Sequence, residues 1–367
     1  MKTVPTEWPL EGTGNMAFVG EAPGDVELRT GRPLTGKSGK QYNSLLRVIG
    51  VRRTEVTTTN VLDFKLPNNT LKSISVQAKE QKALVAELPE EDQVWKPWLL
   101  SAPETGVYIP PEIAIPALKR LRADLEKADP TVVVALGATA LWALKPGLKI
   151  GSNRGTVIQS DLVPGLKLVP TFHPAYILRQ YRTRKIVVSD FMKAKVQSAF
   201  REVRLRNREI WIRPTLDDLE AFARKHMPSD GPLSVDIETA RGQIECIGFA
   251  TDRTHAIVVP FVDYDQDDNS YWRTPADEVS AWRWCARWLT DPAVPLLMQN
   301  GVYDVQWIYV KTGIPCRNYT EDTRLKHHAK YPELPKGLGF LGSVYEEPAI
   351  EGSWKDMTSH KEEKKDA

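Results

Sequence analysis

Asp236-Ile-Glu238 and, downstream, Asn300-Gly-Val-Tyr303-Asp304 supply three carboxylates in an order suited to divalent metals. In an extended segment Leu233-Ser-Val-Asp-Ile-Glu238, the two-residue period sends Asp236 and Glu238 to one face and Val235 and Ile237 to the other. Two carboxylates on one face repel unless a cation lies between them. Hard Mg²⁺ or Mn²⁺ accepts such oxygen ligands. A pair of these ions roughly 3.5–4 Å apart activates a water and stabilises the leaving oxygen of a phosphodiester. Asp236, Glu238 and Asp304 are therefore the expected metal ligands, and phosphodiester cleavage the expected chemistry. A lone D-x-E is more often a pair of solvated strand-end charges, so the surrounding elements carry the weight of this reading.

Those elements are strands. Leu233–Glu238, Ile244–Phe249 and Ala256–Pro260 alternate with polar turns and read as a three-strand meander, and the apolar stretch Val294–Met298 then delivers Asn300 and Asp304. The first half has a different rhythm. Met16-Ala-Phe-Val19 reads as a strand ending in Gly20-Glu21-Ala-Pro-Gly24, a turn able to bring backbone amides close to a ligand. Val56-Thr-Thr-Thr-Asn60-Val-Leu62 is a second strand with Asn60 near its carboxyl end, and Leu166–Phe172, followed at once by His173, a fourth. The third, Thr131–Gly137, is uniformly apolar, as a strand buried on both faces of a parallel sheet must be. Helical segments around 38–49, 113–127 and 189–203 alternate with these strands. The expected fold is α/β: a three-layer α/β/α parallel sheet, with its loops gathered beyond the carboxyl ends of the strands, followed by an α/β domain with a mixed sheet. Residues 70–108 look like a polar, Pro-bearing insertion. The expected division is 1–205, a basic linker 206–213, a second domain 214–358 and a charged, disordered tail 359–367.

Gly20-Glu-Ala-Pro-Gly24, Gly31-Arg-Pro, Thr59-Asn60-Val and His173-Pro-Ala-Tyr-Ile-Leu-Arg179 together resemble the uracil-DNA glycosylase superfamily, most closely its family 4. That resemblance implies extrusion of a base from DNA and reading of its Watson–Crick edge in a pocket. Asn60 would accept from uracil N3–H and donate to O4, His173 would donate to O2 as charge gathers on the departing base, and Glu21 would orient or deprotonate water. Leu178 and Arg179 fall where the family inserts a loop into the duplex. Three features depart from the family, the first being Lys65-Leu-Pro-Asn-Asn69 in place of its Arg-Pro-Pro-Gly-Asn run. Leu34 stands where an aromatic would stack on uracil. The three cysteines, Cys246, Cys285 and Cys316, all lie in the second half, so the family's four-cysteine iron–sulfur cluster is not expected.

The second constellation resembles the first two motifs of the proofreading 3′-to-5′ exonuclease domain of family A DNA polymerases, with an RNase H-like fold implied. Glu321-Asp-Thr-Arg-Leu-Lys-His-His and Pro332-Glu-Leu-Pro-Lys-Gly-Leu-Gly-Phe-Leu341 look like the same domain in phage polymerases. Asn300 and Tyr303 would then face the DNA. The family's third motif, Tyr-x-x-x-Asp, is missing: Gly313, Thr323, Pro335 and Ala349 stand four residues after Tyr309, Tyr319, Tyr331 and Tyr345. The metal site is expected to be incomplete within this chain, with a polymerase domain or subunit as its partner.

Gly31-Arg-Pro-Leu-Thr-Gly36-Lys37-Ser38 also satisfies the phosphate-cradling pattern G-x-x-x-x-G-K-S. A P-loop needs a buried strand ending at its first Gly, whereas Gly31 follows Asp25-Val-Glu-Leu-Arg-Thr30, so Lys37 is assigned instead to DNA phosphates. Arg182, Arg184, Lys185, Arg201, Arg204, Arg206 and Arg208 form a basic stretch with the same expected role. A net charge of +2 does not by itself identify a nucleic-acid binder. No signal peptide or membrane span is visible, and a cytoplasmic, reduced location is expected. The leading expectation is a DNA-processing enzyme of phage-type replication. The alternative is a non-catalytic DNA-binding or polymerase-accessory subunit.

Overall fold

The computed structural model describes residues 2–12, 14–204, 207–227 and 231–345; the expected charged tail lies outside the described residues. Two compact units are present. One comprises the described residues up to 204 together with 339–345, and the other runs from 207 to 338.

In the first unit, β1 (Met16–Gly20), β2 (Thr57–Asn60), β3 (Val132–Leu136), β4 (Ile158–Gln159) and β5 (Lys167–Thr171) form a sheet in the order β2-β1-β3-β5-β4. All pairs are parallel except the antiparallel β4–β5. Every residue of β1, β2, β3 and β5 is buried, because helices cover both faces. Ala17, Val19, Val133 and Ala135 meet Leu118, Leu121 and Leu125 of the helix Pro111–Ala128 on one side. Phe18, Val132 and Val134 meet Tyr42, Leu45 and Leu46 of Lys37–Val48 and Phe191 of Arg184–Gln197 on the other. The three-layer α/β/α arrangement follows from those two apolar faces. Two threonines of β2 are tolerated inside because their hydroxyls find neighbours: Thr58 with Tyr42 Oη at 3.0 Å, Thr59 with Thr6 at 2.8 Å.

Residues 70–108 are no insertion on the surface. Val85, Trp95, Trp98, Leu99 and Val107 are buried in the same core as Leu118 and Leu141. Two indoles are tied in by main-chain acceptors, Trp98 Nε1 to Ala143 O at 2.8 Å and Trp142 Nε1 to Trp98 O at 2.9 Å. A few large side chains do the burying, so the average polarity of the stretch gave the wrong picture. The helix expected over 189–203 is Arg184–Gln197.

The second unit holds β6 (Glu209–Ile212), β7 (Leu233–Ala240), β8 (Gln243–Ala250), β9 (His255–Pro260), β10 (Leu296–Met298) and β11 (Tyr319–Asp322), in the order β11-β10-β7-β8-β9-β6. β7, β8 and β9 are the antiparallel meander, while β10 pairs in parallel with β7 and β11, and β6 with β9. The sheet is mixed, as expected. β6 lies inside the span 206–213 read from sequence as a linker, where it is a strand at the sheet edge. The helix Leu338–Tyr345 falls within the sequence span expected for the second domain, yet its contacts are with the first unit. Lys193 Nζ donates to Ser343 O at 2.8 Å, and Arg154, paired with buried Asp190 at 2.6 Å, donates to Ser343 Oγ at 3.0 Å. No described helix is long and apolar enough to cross a membrane.

One glycine fixes the loop that walls the first unit's cavity. A Cβ on Gly39 would lie 2.0 Å from the carbonyl oxygen of Leu34, whose own backbone has φ 46° and whose carbonyl accepts from Arg53 Nη1 at 2.7 Å. Gly39→Ala must displace backbone rather than a side-chain tip. The expected cost is about 1–3 kcal/mol or more, read as a melting transition of the first unit lowered by several degrees; an unchanged transition would show that the loop is not so constrained.

Candidate active sites

The first site lies beyond the carboxyl ends of β1, β3 and β5, where a cavity of about 980 Å³ opens. Glu21 follows β1, Leu136 ends β3 before Gly137, and Phe172 and His173 follow β5; all of these residues line it. Leu34, Lys37 and Arg179 complete the set of expected residues on its wall. Asn60 and Leu178 are not lining residues. Asn60 ends β2 opposite Gly20, and a Cβ on Gly20 would sit 2.4 Å from Asn60 Oδ1, so glycine is what admits the amide. Its main-chain oxygen accepts from Arg120 Nη2, while Oδ1 is buried with no hydrogen-bond partner. A buried acceptor left in that state is costly unless a ligand supplies a donor.

His173 caps the helix Pro174–Arg179, its Nδ1 accepting from Ala175 N at 3.2 Å. The ring proton therefore resides on Nε2, which is left to donate. Burial, reinforced by the charge of Arg179, drives the His173 pKa down to about 4, so the imidazole is neutral at physiological pH. Glu21 accepts from Thr139 Oγ1 at 2.5 Å, and burial, with Glu104 nearby, raises its pKa above the ordinary carboxylate range. The arrangement offers a neutral donor and a carboxylate of raised basicity around one cavity, with the Asn60 amide beside Gly20 at the end of β2. Leu178 is 49% exposed and Arg179 lies 5.9 Å over the Tyr176 ring, at the outer end of that helix.

Sequence reasoning missed Glu27. Its carboxylate, buried in the helix Asp25–Thr30, accepts from Gly24 N at 3.1 Å, Thr35 N at 2.9 Å and Gly36 N at 2.7 Å. An internal anion thus occupies the amides that a P-loop would give to phosphate, and a helix rather than a strand precedes Gly31. The phosphate-cradle reading of Gly31–Ser38 fails on both counts. Nothing in the local pattern marked this Glu. The basic stretch is also partly engaged within the chain: Arg201 pairs with Asp129 at 2.7 Å and Arg204 lies 4.0 Å over Phe200.

In the second unit, β7 presents Asp236 and Glu238 on its exposed face while Val235 and Ile237 are buried. Asp304, 3% exposed, sits in the first turn of the helix Val302–Thr312. Leu233 N donates to Pro295 O at 2.8 Å, so the odd-numbered amides of β7 point toward β10. β10 pairs only with Leu233 and Ser234, and further along β7 Asp304 Oδ1 takes the Ile237 N–H at 3.0 Å. The third carboxylate is thereby anchored to the peptide between the other two. Gly301 permits this helix start, since a Cβ there would meet Met298 Cβ at 2.5 Å. Burial, then the charge of Asp304, raises the Asp236 pKa; Asp304 is raised by burial, with Asp322 and Glu238 adding to it. Such a carboxylate set is suited to a hard divalent cation. The ligand atoms do not gather tightly: among the described residues, the trio that lies within 4.8 Å of one another is Glu209, His226 and His255 instead. Asn300, with φ 63°, accepts from Arg324 Nη1 at 2.6 Å, and Tyr303 Oη meets Thr239 Oγ1 at 2.7 Å. From Thr323 to Tyr345 the one carboxylate is Glu333.

Comparison with known proteins gives a family for residues 12–202. The family model described as "Uracil DNA glycosylase superfamily" matches residues 12–202. The type-4 uracil-DNA glycosylase of Thermotoga maritima is 34% identical over 190 residues, which is 50% of this chain and 80% of that protein. That of Saccharolobus solfataricus is 28% identical over 210 residues, 54% and 80% respectively. Among solved structures, the EXD2 exonuclease domain soaked in Mn matches with 13% identity and a TM-score of 0.24, over 33% of this chain and 58% of that chain. The Aedes aegypti Nibbler EXO domain matches with 15% identity and a TM-score of 0.28, over 38% and 70%.

The His173 geometry has a pH signature. The folded ring is expected to titrate near pH 4 and an unfolded one at about 6.5. The unfolded chain then takes up the proton first. The stability contributed by the neutral ring is complete above about pH 6.5 and is lost as pH falls toward the folded value. NMR of the labelled imidazole should give that low midpoint, and Arg179→Ala, by removing a positive neighbour, should raise it. A midpoint at the ordinary histidine value in the folded protein would contradict the buried, neutral assignment.

Proposed function

The chain belongs to the uracil DNA glycosylase superfamily; from that membership we propose that the first unit removes uracil from DNA, and from its carboxylate set that the second trims DNA 3′ ends by metal-dependent phosphodiester hydrolysis. The observation that carries the first half is the buried, partnerless Asn60 Oδ1 beside a cavity lined by neutral His173 and by Glu21. Uracil extruded from the helix supplies the missing donor through N3–H. As the glycosidic bond breaks, its electrons pass to the base and His173 Nε2–H stabilises the developing negative charge on O2. Water adds to the sugar carbon and gives its proton to Glu21, whose raised pKa suits a base. Leu34 keeps an apolar wall without a π face, a loss of about 1–3 kcal/mol of stacking. Lys37 and Arg179 at the wall are placed to meet phosphates.

The second half rests on Asp304 being tied to the peptide between Asp236 and Glu238. Mg²⁺ or Mn²⁺, when bound, would activate water and neutralise the phosphate. Asp236, Glu238 and Asp304 would hold it, with Asn300 and Tyr303 flanking the strand end. The order of these residues supports a proofreading role beside a family A polymerase domain or subunit, in phage-type replication. This assignment of context is part of the proposal.

Alkali-sensitive breaks at a single deoxyuridine are expected from the intact chain, falling roughly 10²–10⁴-fold in His173→Asn and comparably in Asn60→Ala. Shortening of 3′-labelled single-stranded DNA in Mn²⁺ is expected to disappear in Asp236→Ala/Glu238→Ala. DNA binding without either reaction at high protein concentration would replace this reading with a non-catalytic accessory protein.

A further inference from the structure

Apart from both candidate active sites, the second unit assembles another set of donors at its sheet edge. Glu209 opens β6, His226 ends the helix Leu216–His226, and His255 opens β9. We propose that Glu209, His226 and His255 bind a borderline divalent transition metal such as Zn²⁺, fastening β6 and the end of that helix to the start of β9.

The spacing fits such an ion. His226 Nε2 lies 3.7 Å from Glu209 Oε1, and His255 Nε2 lies 3.8 Å from Oε2. Ligands held at zinc distances of about 2.0–2.1 Å in a tetrahedron are about 3.4 Å from one another; the two histidine–carboxylate pairs are close to that spacing, and the three ligand atoms all lie within 4.8 Å of one another. The two rings stack with centroids 4.3 Å apart, which aligns their edges toward one carboxylate.

Two further observations point to a ligand. His226 Nε2 is buried with no hydrogen-bond partner, on a side chain only 9% exposed. A cation would satisfy that nitrogen, which the protein itself does not. His255 Nδ1 lies 2.8 Å from Asp252 Oδ2, and Asp252 is fixed in turn by Thr254 N and Oγ1. A carboxylate behind an imidazole holds the proton on Nδ1 and turns the Nε2 lone pair outward, the usual support of a metal-bound histidine. Trp211 Nε1 at 2.9 Å and Lys225 Nζ at 2.8 Å both donate to Glu209 Oε1 and hold the carboxylate in place. Two imidazoles and one carboxylate select zinc-like ions over Mg²⁺ or Ca²⁺, and the helix C-terminus adds its negative dipole end. Lys225 Nζ, 2.8 Å from Glu209 Oε1, is the competing cation; it is 56% exposed and can swing into solvent.

The test uses the full chain, stripped by chelator and titrated with Zn²⁺ alone in calorimetry, with X-ray absorption of the loaded protein as a second readout. Expected are a single tight equivalent that persists in Asp236→Ala/Glu238→Ala, an absorption spectrum with two imidazole ligands, and affinity reduced at least about tenfold in His255→Gln and in Glu209→Gln. Absence of binding by the folded wild-type chain at micromolar Zn²⁺, a spectrum without imidazole, or wild-type affinity in both folded variants would each overturn the site. Wild-type binding and spectroscopy decide the matter without the variants, so a variant that fails to fold does not shelter the site from refutation.

Discussion

Carboxylates that take over main-chain donors where regular hydrogen bonding stops are the interaction on which both sites depend. Beyond β1, the amides of Gly24, Thr35 and Gly36 converge on Glu27. Beyond the short pairing of β10 with β7, the amide of Ile237 is met by Asp304, and Asp322 does the same for Gly301 at 3.0 Å and Leu325 at 3.0 Å. Each charge-assisted bond contributes on the order of 1.5–3 kcal/mol, and an unmet buried amide would cost a similar amount. The same bonds fix geometry: Glu27 shapes the cavity wall that carries Leu34 and Lys37, and Asp304 is held to the backbone between two acidic neighbours. Loss of either carboxylate would disturb position before it disturbed fold.

The parts of the fold legible in the sequence were those with an unbroken period. Val132–Leu136 is apolar at every position because both faces are covered, and Val235/Ile237 against Asp236/Glu238 is a strand with one face buried. Glu21, Leu34, Lys37, His173 and Arg179 were found together because they sit in the loops along one edge of a parallel sheet. What escaped lacked a local signal. Trp98 is buried through contacts with a helix more than 40 residues away, and Trp95 packs beside it. β6 is too short and too charged at its start to stand out, and the helix Leu338–Tyr345 is held by Arg154 and Lys193, far off in sequence. The Glu209, His226 and His255 cluster joins three elements and has no spacing rule at all.

Leu34 shows how the first site tolerates its departure from an aromatic. A leucine at φ 46° adopts a conformation that non-glycine residues occupy at a cost of about 1–3 kcal/mol. Arg53 offsets it by binding both Leu34 O and Pro33 O while pairing with Glu7 at 2.6 Å. The loop is therefore held by its backbone as well as by the Leu34 side chain, which is buried in the same core cluster as Tyr42 and Leu45.

In the second unit the balance of charge decides what the carboxylates can do. Asp236 and Asp304 are both raised by burial and by neighbouring carboxylates, whereas Asp322, despite burial, is held below the ordinary range by Tyr319 Oη, Leu325 N and Gly301 N. Asp322 is thus committed to structure, while Asp236 and Glu238 stand on the exposed side of β7. Between 323 and 345 the one carboxylate is Glu333, so the acidic character beside β7 rests on Asp236, Glu238 and Asp304, of which Asp304 is the one fixed to the strand's own backbone.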